Sequence, residues 1–133
     1  MANGTIAFDT LSTSGQISGT AISVDADYLA YGSAKSWLSA TISSNTHTIQ
    51  DSFNVGSVTD DGAGRTDLVF TNNMANDDYS ATQSAATNAS NVFVHLGNND
   101  LVTTSNFRNN TSNDGGTIVD YEILCATVHG DLA

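Results

Sequence analysis

The chain has 133 residues and a formal charge of -11, from three basic residues (Lys35, Arg65, Arg108) against fourteen acidic ones. That balance excludes nucleic acid and anionic membrane surfaces as partners, because so few scattered cations cannot neutralise a phosphate track and the net charge repels one. A lone Cys125 allows no internal disulfide, and no apolar run approaches the roughly 18–20 residues of a membrane span, so the fold rests on packing and backbone pairing.

The length predicts a single β domain over 1–133, with 1–15 a candidate N-terminal anchoring segment. The first residues carry no cation and no apolar core, so no secretory leader is expected. Ser, Thr, Asn and Gly make up 58 of the 133 residues, a polar excess that raises the question of disorder. Apolar residues at 39%, many alternating with polar ones, and the absence of proline answer it in favour of a folded chain.

In chain order, the period-two pattern predicts a strand over Ile17–Val24 and another over Ala34–Ala40, which carries Trp37. Ser52–Val55 alternates, with Val58 continuing the apolar set. The cluster Asp60-Asp61-Gly62-Ala63-Gly64 is the strongest hairpin signal, leading into Arg65–Phe70. A short helical turn is expected around Asn73–Asp78 and no other helix. Strands follow over Asp78–Ala85 and Asn91–Leu96. The final run, Thr117–His129, is apolar on both faces and is therefore predicted to be central or doubly covered. Strands at this spacing with Asn, Asp and Gly turns predict an all-β fold, an antiparallel β-sandwich or barrel of jelly-roll-like type.

Chemistry is sparse in the pattern. His47, His95 and His129 are not at metal-ligand spacing, and Cys125 reads as a structural thiol in an apolar strand. No nucleophile elbow, phosphate loop or dinucleotide fingerprint is present. Asp25-Ala26-Asp27, Asp60-Asp61, Asp77-Asp78 and Asn98-Asn99-Asp100 offer hard oxygen donors, yet none matches a calcium loop, and they read as acidic turns. The expectation is therefore no catalytic residue, no metal and no cofactor.

One stretch carries a resemblance. Ala34-Lys35-Ser36-Trp37, Ser52-Phe53-Asn54-Val55, Thr59-Asp60-Asp61-Gly62-Ala63-Gly64, Leu68-Val69-Phe70 and Met74 through Asp77-Asp78-Tyr79 resemble a β-rich module of tailed bacteriophages. The module is frequent in phages of marine bacteria and cyanobacteria, often at the distal end of tail fibres. The resemblance spans about residues 34–80, with weaker continuations at Asn106-Phe107-Arg108 and Val128-His129-Gly130. The aromatic usual near Arg65-Thr66 is absent. With its own Met1 and no shaft sequence, the chain is expected to be a stand-alone knob, fibre tip or virion subunit.

The resemblance implies a non-enzymatic structural protein of the virion surface, on tail or capsid exterior, assembling as a homotrimer with other virion proteins. Its first expected role is a tail-fibre adhesion module that attaches to a host-surface glycan or protein. A capsid decoration or cement protein is the alternative, and a polysaccharide depolymerase a remote third. Asn and Asp amides and carboxylates match sugar hydroxyls and aromatic faces stack on sugar rings. The expected receptor or glycan contacts are accordingly Tyr28, Tyr31, Asn98, Asn99, Asp100, Asn109, Asn110 and Asn113. Thr5, Ile6, Ala7 and Phe8 are the expected anchoring residues.

Overall fold

The computed structural model describes residues 16–18, 23–87, 91–96 and 102–133. The expectation of one domain meets a chain that divides into two compact units, Met1–Ser33 and Ala34–Ala133. In the first unit, β1 (Gln16–Ser18) pairs antiparallel with β2 (Ser23–Asp25), Ile17 opposite Val24. The single strand expected over 17–24 is thus two strands of one antiparallel pair. The next segment corrects a second expectation: Ala26–Gly32 is a helix, α1. Ala26, Leu29 and Ala30 are strong helix formers, and Gly32 closes the element.

The second unit holds two four-stranded antiparallel sheets. The first has the order β4 (Thr46–Phe53), β3 (Ser36–Ser43), β10 (Ile123–His129), β7 (Ser80–Ala86). The second has the order β5 (Val55–Asp60), β6 (Arg65–Phe70), β9 (Asn106–Ser112), β8 (Phe93–Leu96). The pairs β3–β4, β5–β6 and β8–β9 each stay within one sheet. The chain changes sheet between β4 and β5, β6 and β7, β7 and β8, and β9 and β10. The all-β class and the central place of β10 agree with the sequence pattern. The last strand begins only at Ile123, however, and 73–78 forms bends with an isolated Met74–Leu132 bridge instead of a helical turn.

Side chains from both sheets make one apolar cluster. Leu38 and Ala40 come from β3, Leu68 and Phe70 from β6, Phe107 from β9, and Leu124, Ala126 and Val128 from β10. Met74 and Tyr121 join from connecting segments. Phe70, Tyr79 and Phe107 pack edge-on and tilted, with centroids 5.7–6.3 Å apart. The Tyr79 hydroxyl donates to the Thr103 carbonyl at 3.0 Å, which ties the aromatic group to the loop before β9.

Two positions show why the turns have their sequence. Gly64 has φ +63, and a Cβ there would lie 2.6 Å from the Val119 carbonyl and 2.7 Å from that of Thr111. Only glycine lets the β5–β6 turn slide beneath the 111–119 segment. Asn54 has φ 54 and breaks the expected strand 52–55 at the step from one sheet to the other. Its amide donates to the Lys35 and Asn72 carbonyls, each at 3.0 Å, while its oxygen accepts the Asn72 N–H at 2.7 Å. Asn tolerates the left-handed region, and here one side chain ties three segments together.

Candidate functional site

In β3, Leu38 and Ala40 face the core, so Trp37, Ser39 and Thr41 face away from it. Neighbouring strands repeat the pattern. Trp37 is directly opposite Phe53 of β4 and Thr127 of β10, while Ser39 is opposite Asp51 and Cys125, and Thr41 opposite Thr48 and Ile123. Beyond β10, Thr82, Ser84 and Ala86 of β7 continue these rungs. The outer face of this sheet is therefore a floor of small hydroxyl side chains with an aromatic pair at one end. Phe53 is 51% exposed and Trp37 36%, so the pair presents apolar surface to solvent.

The rung Thr41–Ile123 leads into a groove of about 700 Å³. Thr41, Ser43, Ser44 and Asn45 line one side, and Asp120, Tyr121 and Glu122 the other. Ser44 and Asn45 have φ 50 and φ 63, the geometry of a tight two-residue hairpin turn. Below the groove, the Tyr121 hydroxyl is hydrogen-bonded to the Thr66 hydroxyl, which also contacts His47 Nε2 at 2.9 Å. Burial pushes the Tyr121 hydroxyl up to about 12. Thr66 is only 1% exposed, so this chain of polar groups braces the groove and offers no reachable nucleophile. Asp120 Oδ1 accepts the Gly64 N–H at 2.6 Å, which commits one of its two oxygens to the fold.

The outer face of the other sheet has a different character. Arg108 of β9 forms a fork with Asp67 of β6 at 2.6 and 2.9 Å and reaches Asp61 at 2.7 Å. This charge-assisted hydrogen bonding raises the Arg108 pKa further. Asp61 is thus an ion-pair partner, and Asp60 Oδ1 accepts the Gly62 N–H at 2.9 Å within the turn. Among the described residues no group of three or more His, Cys, Asp or Glu gathers as a metal site.

The residues expected as contacts are scattered. Tyr28 and Tyr31 are 77% and 61% exposed on α1, in the first unit. Asn98, Asn99 and Asp100, and the anchoring residues Thr5, Ile6, Ala7 and Phe8, lie outside the described residues. Asn109 is a correction: it is fully buried on the core face of β9, beside Thr66, and cannot meet a receptor. Asn110 is half-buried on the same strand. Asn113 spends its side-chain oxygen on the Gly115 and Thr117 N–H groups, at 3.1 and 2.9 Å, and serves its turn. The Trp37–Phe53 pair was not among the expected contacts, since alternation within each strand does not say that their exposed phases meet.

No known family, curated protein or solved structure matches the chain.

Proposed function

We propose that the chain is a non-enzymatic adhesion module of a tailed-phage virion, displayed on the particle surface, that holds a host-surface glycan. The observation that carries this reading is the outer face of sheet β4-β3-β10-β7. An exposed Trp37–Phe53 pair there is followed by hydroxyl-bearing rungs and a groove edged by Asn45, Asp120 and Glu122. Aromatic faces stack on the apolar side of sugar rings, and amides, hydroxyls and carboxylates take their hydroxyls. The rungs from Trp37 to Thr41 run about 13 Å at the usual rise per strand residue, room for a short saccharide. The fold reading that goes with it is a β-sandwich, supported by the single apolar cluster drawn from both sheets. Three consecutive strand pairs kept within one sheet favour a hairpin-built sandwich over a jelly-roll path.

The test is adsorption. Purified protein should coat host cells, compete with phage for them, and be retarded by host-surface polysaccharide in affinity electrophoresis. A Trp37→Ser/Phe53→Ser variant that keeps the wild-type circular-dichroism spectrum at the assay temperature should lose the retardation. Binding unaffected by that variant rules out this face. A wild-type protein that neither coats cells nor blocks adsorption rules out adhesion. A copy number in the virion comparable to that of the capsid protein turns the reading to decoration.

A further inference from the structure

A sheet edge presents unpaired N–H and C=O groups, and proteins that stay monomeric guard it with charge, proline, bulges or shortness. Three of the four edges in the second unit carry such guards. Strand β4 is bulged at Gln50, opposite Ser39 and Ala40 of β3, and bears Asp51. Strand β5 is irregular between Val55 and Ser57 and ends in Asp60. Strand β8 has only four residues. The fourth edge, β7, has seven residues, Ser80-Ala81-Thr82-Gln83-Ser84-Ala85-Ala86, with no charge, no glycine, no proline and an unbroken register against β10. Among the described residues no strand pairs with its other side.

We propose that β7 is a homotypic interface, at which a second copy of this chain adds its own β7 antiparallel across a two-fold axis through Gln83. The segment is self-complementary in that register. Thr82 meets Ser84 of the second copy on the outer face, Ala81 meets Ala85 on the inner face, and Gln83 meets Gln83 on the axis. Inside one copy, Gln83 Oε1 is shielded from solvent yet has no hydrogen-bond partner. Turned across the axis, the two amides are placed to donate to each other. The charge distribution points the same way. Two chains of -11 repel, and this edge brings no formal charge to the contact. The β4-β3-β10-β7 sheets of the two copies become one eight-stranded sheet, joined along about 24 Å of strand by roughly six to eight backbone hydrogen bonds. Such a contact is small, so the dimer is concentration-dependent and is strengthened by salt, which screens the repulsion.

Cross-linking reads the register. In a Cys125→Ser background, Thr82→Cys and Ser84→Cys chains are prepared separately and mixed before mild oxidation. Directly opposite Cα atoms lie about 5 Å apart, within disulfide reach, whereas the like-with-like positions lie about 8 Å apart. The mixture should give a covalent dimer on a non-reducing gel, and neither chain alone should. By light scattering, the wild type should pass from monomer to dimer with concentration. Thr82→Lys/Ser84→Lys should remain monomeric with an unchanged circular-dichroism melt, even though it lowers the net negative charge. A wild type that is monomeric throughout or forms trimers, equal cross-linking of the single variants, or a persistent dimer in the lysine variant would overturn the proposal.

Discussion

The Asn54 side chain joins the segments around Lys35 and Asn72 to its own. Asn54→Ala deletes three hydrogen bonds, to the Lys35 carbonyl, the Asn72 carbonyl and the Asn72 N–H. The Lys35 bond is partly buried and is worth about 1 kcal/mol, and the two exposed Asn72 bonds about 0.5 kcal/mol each. Alanine held at φ 54 adds about 1 kcal/mol that asparagine largely avoids. The expected loss is therefore about 3 kcal/mol, a large fraction of the 5–15 kcal/mol typical of a domain. Asn54→Gly separates the two causes, because glycine loses the same bonds without the backbone cost. It should lose about 2 kcal/mol. Urea unfolding followed by tryptophan fluorescence suits the test, since Trp37 lies on the strand that Lys35 leads into. With a slope near 2 kcal/mol/M, the alanine midpoint should fall by about 1.5 M and the glycine midpoint by about 1 M. An alanine variant within about 0.5 kcal/mol of wild type, or a glycine variant less stable than alanine, refutes the account.

Gly64→Ala should be among the most damaging small substitutions, at about 2–4 kcal/mol, because a positive φ is combined with a methyl driven against two carbonyls. A thermal melt checks it, and Gly62→Ala, where a Cβ meets nothing within 4 Å, should pay only the backbone cost. The Tyr121 hydroxyl, ordinarily near 10, is raised to about 12 by burial, so the native state holds its proton more tightly than the unfolded chain does. Its contribution is intact below pH 10 and fades as pH rises toward 12, by roughly 2–3 kcal/mol in all. Urea midpoints across that window should fall for wild type and fall less steeply for Tyr121→Phe, in which Tyr79, likewise raised to about 12 by burial, still contributes. Trp37→Ser alone should weaken polysaccharide retention about tenfold, or ~1.4 kcal/mol, measured well below the variant's own melting temperature.

The class of fold was legible because alternation survives without tertiary context. Leu38 and Ala40 against Trp37 and Ser39, or Leu68 and Phe70 against Asp67 and Val69, state a half-buried strand by themselves. The hairpin at 60–64 was equally legible, because glycine and aspartate are the residues that left-handed turn geometry demands. Strand β9 was not. Asn106-Phe107-Arg108-Asn109-Asn110-Thr111-Ser112 has one large apolar side chain, and its polar groups are buried by what packs on them, with Thr111 donating to the Val119 carbonyl at 2.5 Å. A polar strand in a core is a property of its neighbours, so no local pattern announces it. The same holds for Asn109, whose turn-like composition concealed a fully buried position.

By itself, then, the sequence determined an acidic, all-β chain whose final strand lies inside a sheet rather than at its edge, since charge and periodicity are local sums. Tertiary structure alone decided which surfaces face outward together. Trp37 and Phe53 become one aromatic rung only because β3 and β4 pair in that register, and β7 becomes an unguarded edge only because the sheet stops there. Pairing between distant segments is set by the competition of whole registers for one core, and that competition is not written in any single stretch of chain.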